Sequence, residues 1–380
     1  MKYLSGLLIA ALTVLASPAV ARPVTDCPLR DAPFSTTSPL IDILLSPAAK
    51  AVVDRDQPGL LAHLPPMMAS TASPSFAAIL TMPELMGMGA MAGKPQSEAE
   101  IKASLLQVDA DLRRLPVTAA DHVARCARYD EDRPVLSMPT GRPRLLLFEK
   151  INGFKDTPSV NAAHAAFLDL AKANGWSIVA TDKGGAINPV TLRHFDAVIW
   201  NNISGDVLTL SERAALKAYL KRGGGFVGVH GSAGDPVYWW DWYVDDLIGA
   251  RFEGHPYPNQ FQEARVKIDN PNDPLATGLP SEWTMKEEWY SFKTNPRVVG
   301  SHVLATLDES TYTPEFMGGK NLRMGDHPIA WSRCVGAGRV FYSAIGHRPE
   351  MYETPVYRQM LTNALAWASG GAGRNCSLTK

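Results

Sequence analysis

Apolar and polar positions follow two different rhythms along this chain, and the change falls near residue 140. Upstream, apolar residues recur at helical intervals. Leu40, Ile41, Leu44 and Leu45 follow Ser38-Pro39, a pairing of N-cap and first-turn proline, and a short second helix is expected over Ala48–Asp54. Ser97 and Glu100 make a capping-box pattern ahead of Ile101, Leu105, Val108, Leu112 and Leu115, which share one helix face. Pro134, Pro139, Gly141 and Pro143 then mark a linker. Downstream, short continuous apolar runs alternate with amphipathic segments. Leu145-Leu146-Leu147-Phe148, Ser177–Thr181, Phe195–Trp200 and Gly225–Val229 read as buried strands. The stretch Val160–Asn174, ending at Gly175, and the stretch from Ser211 to Leu220, closing at Gly223, read as helices. This alternation predicts an α/β fold whose mostly parallel sheet carries helices on both faces. Ligands of such open sheets bind at the carboxyl ends of the strands, where Asn201, Asn202 and His230 would stand.

The first residues change the picture of where the protein works. Met1-Lys2, an apolar run from Leu4 to Leu15 and Ala19-Val20-Ala21 before Arg22 form a secretory signal pattern with cleavage after Ala21. No later segment approaches the roughly 20 apolar residues of a membrane span. The expected organisation is a leader over 1–21, a helical accessory region and linker over 22–142, an α/β domain over 143–370 and a tail over 371–380. Export, most simply to a periplasm, follows from the leader. With 37 basic and 38 acidic residues the formal charge is −1, so no basic surplus points to nucleic acid. In an oxidising compartment the four cysteines are expected to pair. Joining Cys27 to Cys126 and Cys334 to Cys376 keeps each bridge within one region of the chain. The methionine run from Met82 to Met91 reads as adaptable packing material or as thioether copper ligands, and the flexibility of Met favours the first.

Candidate chemistry centres on Gly224-Gly-Phe-Val-Gly-Val-His-Gly-Ser-Ala-Gly-Asp235, a buried strand running into a glycine turn with His230 at the elbow. Hydrolase and amidotransferase elbows carry a Cys or Ser there. No Cys lies near position 230, which argues against thiolate chemistry and a glutaminase, and Ser232 lacks a Gly-x-Ser-x-Gly setting. Gly223-Gly224-Gly225 precedes a strand instead of opening a helix, so no nucleotide cofactor is expected.

Residues 143–368 resemble the ThuA-like, trehalose-utilisation family, a branch of the class I glutamine amidotransferase-like fold. The resemblance rests on an ordered series: the Gly225–Ala233 stretch, Trp242-Tyr243, Ile248–Phe252, Gly254-His255-Pro256 with Gln260, and Thr277–Pro280. Glu287-Glu288-Trp289-Tyr290, Gly325–Pro328 with Trp331, Gly338–Tyr342 and Gly346-His347 complete it. It implies a flavodoxin-like sheet and sugar metabolism. His230, His255, Glu288, His327 and His347 lie beside turns in these segments. His230, Glu288 and His327 are the expected catalytic groups, with Asp326 as an orienting partner of His327. His230, His255, Glu288 and His347 would suit a divalent metal such as zinc. Glu287 and Glu288 cannot act together, because neighbours on a strand point to opposite faces, and the family pattern selects Glu288. Asp235, Trp240, Trp242, Gln260 and Tyr290 are expected to bind substrate, since flat rings with polar edges suit sugars. His63, His122, His164 and His194 read as structural. The expectation is thus an exported enzyme acting on a small-molecule sugar, a disaccharide or keto-sugar, through His and Glu proton transfer. A non-catalytic carbohydrate-binding protein is the alternative, and either could assemble as a homo-oligomer.

Overall fold

The computed structural model describes residues 23–88, 96–138, 140–371, 373, 375 and 376. The expected leader lies outside these residues, as do positions 89–91 of the methionine run. Continuous apolar runs give the strands β1 (Arg144–Phe148), β2 (Ser177–Thr181), β3 (Ala197–Asn201) and β4 (Gly225–Val229). Every residue of β3 and β4 is buried, as expected of strands covered on both faces. There follow β5 (Phe252–Gly254), β6 (Phe261–Ile268), β7 (Glu282–Glu288), β8 (Ser291–Phe292), β9 (His302–Leu307), β10 (Glu315–Phe316), β11 (Lys320–Asn321), β12 (Pro328–Val335) and β13 (Gly338–Ser343).

Nine strands form one mixed sheet in the order β2-β1-β3-β4-β13-β12-β9-β6-β7. The five strands from β2 to β13 are parallel, and β12, β9, β6 and β7 extend the sheet antiparallel. This antiparallel half was not expected from the sequence. Its strand β6 alternates buried and exposed positions, with Gln262, Ala264, Val266 and Ile268 facing inward, so it shows no continuous apolar run. The crossover from β1 to β2 runs one way along the sheet and that from β3 to β4 the other. Right-handed connections therefore place the helices Thr157–Ala173 and Leu210–Lys221 on opposite faces. The order reverses between β1 and β3, next to the strand ends that carry the candidate site.

Among the described residues, positions 23–138 contain helices and no strand. Leu40, Ile41, Val53, Ile101, Leu105, Val108 and Leu112 close a second apolar core, and the capping box of Ser97 and Glu100 starts the helix Glu98–Arg113. Met82 is buried in this core, and Met86 and Met88 pack against it, which is the packing role expected of the methionine run. This region is fastened to the sheet domain. Ser75 N–H donates to Asn152 O at 3.0 Å, the Phe76 ring meets the Phe154 ring edge-on at 5.8 Å, and Lys150 pairs with Asp130 at 2.6 Å. No helix among the described residues is long and apolar enough to cross a membrane.

Both disulfides join the expected partners, Cys27 with Cys126 and Cys334 with Cys376. The first spans 99 residues, and closing a loop of that size restrains the unfolded chain by at most about 4.7 kcal/mol. The double variant Cys27→Ser/Cys126→Ser is expected to lose about 2–4 kcal/mol of unfolding free energy in urea titrations. An unchanged midpoint and slope would show that the bridge restrains nothing in the unfolded chain.

Candidate functional site

His230 leaves the end of β4 with φ 38°, in the left-handed region, and opens a short 3-10 turn over His230–Ala233. A non-glycine residue there is uncommon and is held by its surroundings. Two contacts from the end of β13 fix it: Nδ1–H donates to Ala344 O at 2.8 Å, and the His230 carbonyl accepts the Tyr342 hydroxyl at 2.8 Å. The Tyr290 ring stacks on the imidazole with centroids 4.2 Å apart. With the proton committed at Nδ1, Nε2 presents a lone pair. It lies 3.2 Å from Glu288 Oε2 without the alignment of a hydrogen bond and has no other partner, although it is buried. Burial above all, and the neighbouring His347, hold the His230 pKa below its ordinary value against the pull of Glu288.

Glu288 ends β7, and four side chains converge on its carboxylate. Oε1 accepts from Gln260 Nε2 and lies 3.2 Å from His255 Nδ1, while Oε2 faces His230 and lies 2.8 Å from His347 Nδ1. Burial opposes its charge, yet the close imidazole of His230, the hydrogen bond from His347 and the field of His255 hold its carboxyl well below the usual range. His347 responds in the opposite sense. Burial works against its charged form, but the hydrogen bond and field of Glu288, with Asp156 behind, raise its pKa. Its Nε2 lies 3.6 Å from Asp156 Oδ2.

Glu287 points away from this cluster, as strand alternation requires. It is fully buried and accepts the backbone N–H groups of Glu288, Gly346 and Arg348, so it clamps the loop that carries His347. Burial pushes its pKa up to about 8 against those donors.

One ligand atom each from His230, Glu288 and His347 fall within 4.8 Å of one another. The donor set is two imidazoles and a carboxylate, the residue types that in catalytic zinc sites hold the ion with a coordination position free. Each imidazole also turns its second nitrogen toward an oxygen, Ala344 O for His230 and Asp156 for His347, the outer contacts that orient metal-binding histidines. The orphaned, buried Nε2 of His230 gives the fit an independent mark. His255 stands outside this three-atom set and touches only the far oxygen of Glu288.

The cluster opens into a cleft of about 1310 Å³ whose lining includes Asp156, Asn202, His230, Asp235, His255, Gln260, Glu288, Tyr290 and His347. Asp235 accepts the Ser204 hydroxyl at 2.6 Å and the Gly205 N–H at 2.7 Å, and burial pushes its pKa up to about 7 against those bonds.

Three expectations are corrected. His327 is fully buried away from the cleft, with both ring nitrogens engaged: Nδ1 by Glu309 at 2.8 Å and Nε2 by the Tyr290 carbonyl at 2.8 Å. It has no nitrogen left to exchange a proton with substrate and instead fixes the backbone beneath Tyr290. Asp326 pairs with Arg297, so Glu309 is the carboxylate that holds His327. Trp240 and Trp242 do not line the cleft. They pack against each other at a tilt, and Arg213 and Lys217 of the helix Leu210–Lys221 lie over their rings at 4.8 and 4.7 Å.

Asp156 escaped the sequence reading, although it stands in the loop after β1, at the same strand ends as His230. That placement was the available signal. The whole wall contributed by residues before 140 escaped as well.

A family model for ThuA, described as trehalose utilisation, matches residues 144–368. Among solved structures, a ThuA-like protein of Bacteroides uniformis ATCC 8492 is similar at 25% identity and a TM-score of 0.52, over 62% of this chain and 95% of that one. A ThuA-like protein of Parabacteroides merdae ATCC 43184 is similar at 15% identity and a TM-score of 0.45, over 62% of this chain and 91% of that one. No curated protein matches the chain.

Proposed function

The chain belongs to the ThuA trehalose-utilisation family, and from that premise we propose that it is an exported enzyme acting on a disaccharide or keto-sugar, with His230, Glu288 and His347 holding a divalent ion such as zinc. The observation that carries this reading is the buried Nε2 of His230, left without a donor and directed at a carboxylate that a third ligand atom also meets. A neutral lone pair facing an anion is unfavourable unless a cation lies between them. Zinc there would polarise a carbonyl or glycosidic oxygen or activate a water. The protein's own groups do the rest. Gln260 holds the Glu288 carboxylate in register, the Tyr290 ring closes one side of His230, and Asp235 supplies a carboxyl that takes up and releases a proton near neutral pH. The leader pattern and two disulfides support export.

Elemental analysis and zinc titration calorimetry test the reading. The protein stripped with chelator is expected to take up one zinc per chain, and His230→Ala or His347→Ala to weaken that uptake by at least about 100-fold, beyond the effect of losing an outer contact. No stoichiometric metal and no heat of binding would overturn the metal.

A further inference from the structure

The lining of the cleft has two chemically different parts. One is the His230, Glu288 and His347 cluster with Asp156, Asn202 and Asp235. The other is apolar and is built mainly by residues that precede the family match: Met67, Phe76, Ile101, Leu105 and Leu106, with Phe154 beside them. Met67, Leu106 and Phe154 are 51%, 65% and 38% exposed. They come from three separate parts of the chain, yet all three line this one cleft. Scattered exposed apolar residues need no explanation, but a set gathered in one groove, with the charged Lys102 and Arg113 also in its lining, marks a ligand surface. The volume points the same way, since about 1310 Å³ exceeds the roughly 300–1,000 Å³ of a typical small-molecule site. A disaccharide, polar at both ends, would leave this wall without a partner.

We infer that the ligand is amphiphilic: a glycoside whose sugar lies at the His and Glu cluster and whose alkyl or aryl aglycone lies against the wall from the N-terminal region. This rests on the sugar reading above and narrows it. The family-matched segment then supplies the chemistry, and the preceding helices choose the aglycone.

Calorimetric binding of methyl, hexyl and phenyl glucosides and of trehalose to the full zinc-loaded chain tests it. Each buried methylene contributes up to about 0.8 kcal/mol, roughly a fourfold gain, so hexyl glucoside is expected to bind at least about 10-fold more tightly than methyl glucoside. Leu106→Asp and Phe154→Ala are expected to bring the hexyl-to-methyl ratio down to within about 2-fold of unity. Leu106 is exposed on a helix, so its replacement should leave folding intact, which circular dichroism checks. Equal binding of methyl and hexyl glucosides by the parent overturns the amphiphilic ligand and leaves the sugar reading standing. A hexyl preference that survives both substitutions overturns the assignment of the wall. Failure of every sugar and glycoside to bind overturns the sugar reading and this inference together.

Discussion

Glu288→Gln is expected to lower kcat/KM on the sugar substrate by about 10²–10⁴-fold, and to abolish stoichiometric zinc uptake in the same protein. The carboxylate is the one group that every other member of the cluster touches: His230, His255, Gln260 and His347 all converge on its two oxygens. Gln keeps the volume and an acceptor for Gln260, but its amide nitrogen turns a donor toward His347 Nδ1, which hydrogen-bonds the carboxylate, and the negative charge is gone. Glu288→Ala is the poorer probe, because removing a buried acceptor from several donors threatens the fold itself. Glu288→Asp keeps the charge at a shorter reach and should recover part of the zinc uptake. Thermal melts would establish that the Gln variant is folded. Parent-like turnover by that variant would remove Glu288 from the chemistry. A parent that binds sugars and never turns one over would instead make this pocket a binding site.

How much of this was legible depends on what leaves a local trace. Strands β1, β3 and β4 are buried on both faces, so each writes a run of apolar residues into the sequence, as in Leu145-Leu146-Leu147-Phe148. The antiparallel strands are half solvated, and a segment such as Phe261–Ile268, with Glu263, Arg265 and Lys267 outward, resembles a loop as much as a strand. His230, His255, Gln260, Glu288, Tyr290 and His347 could be picked out because each sits in a segment that resembles the family. Partners that meet only through folding left no such trace. Glu309 finds His327 from the loop after β9, and Asp156 reaches His347 from the loop after β1. Trp240 and Trp242 misled for a physical reason. Their closeness to the elbow suggested a sugar platform, but Trp242 opens a π-helical segment, Trp242–Ile248, and the two rings lie on Arg213 and Lys217. Periodicity placed Ile101 and Leu105 on one helix face and could not say that these residues, with Leu106 beside them, line the same cleft as His230.

Glu309→Ala is expected to cost about 3–5 kcal/mol of stability at neutral pH, because it breaks a buried pair and leaves the other half in place. His327 is wholly buried, and Glu309 accepts at 2.8 Å from its Nδ1 as well as from the backbone N–H groups of Met324 and Gly325. Three donors would lose their acceptor at once. Burial works against the Glu309 carboxylate, but the His327 hydrogen bond and these N–H groups bring its pKa down to about 2. The folded value lies below the ordinary value of about 4.3 for an unfolded chain. The stabilisation is therefore fully present above that ordinary value and is lost as pH falls through about 2. The stability gap between parent and variant, read from urea titrations, should be complete at neutral pH and shrink as the pH is lowered toward that limit. The same loss should reach the site only indirectly. His327 Nε2 holds the Tyr290 carbonyl, and the Tyr290 ring lies on His230, so turnover should fall while zinc uptake persists. A gap under about 1 kcal/mol at neutral pH, or one that does not change on acidification, would mean that Glu309 and His327 are not the fastening that the structure makes them.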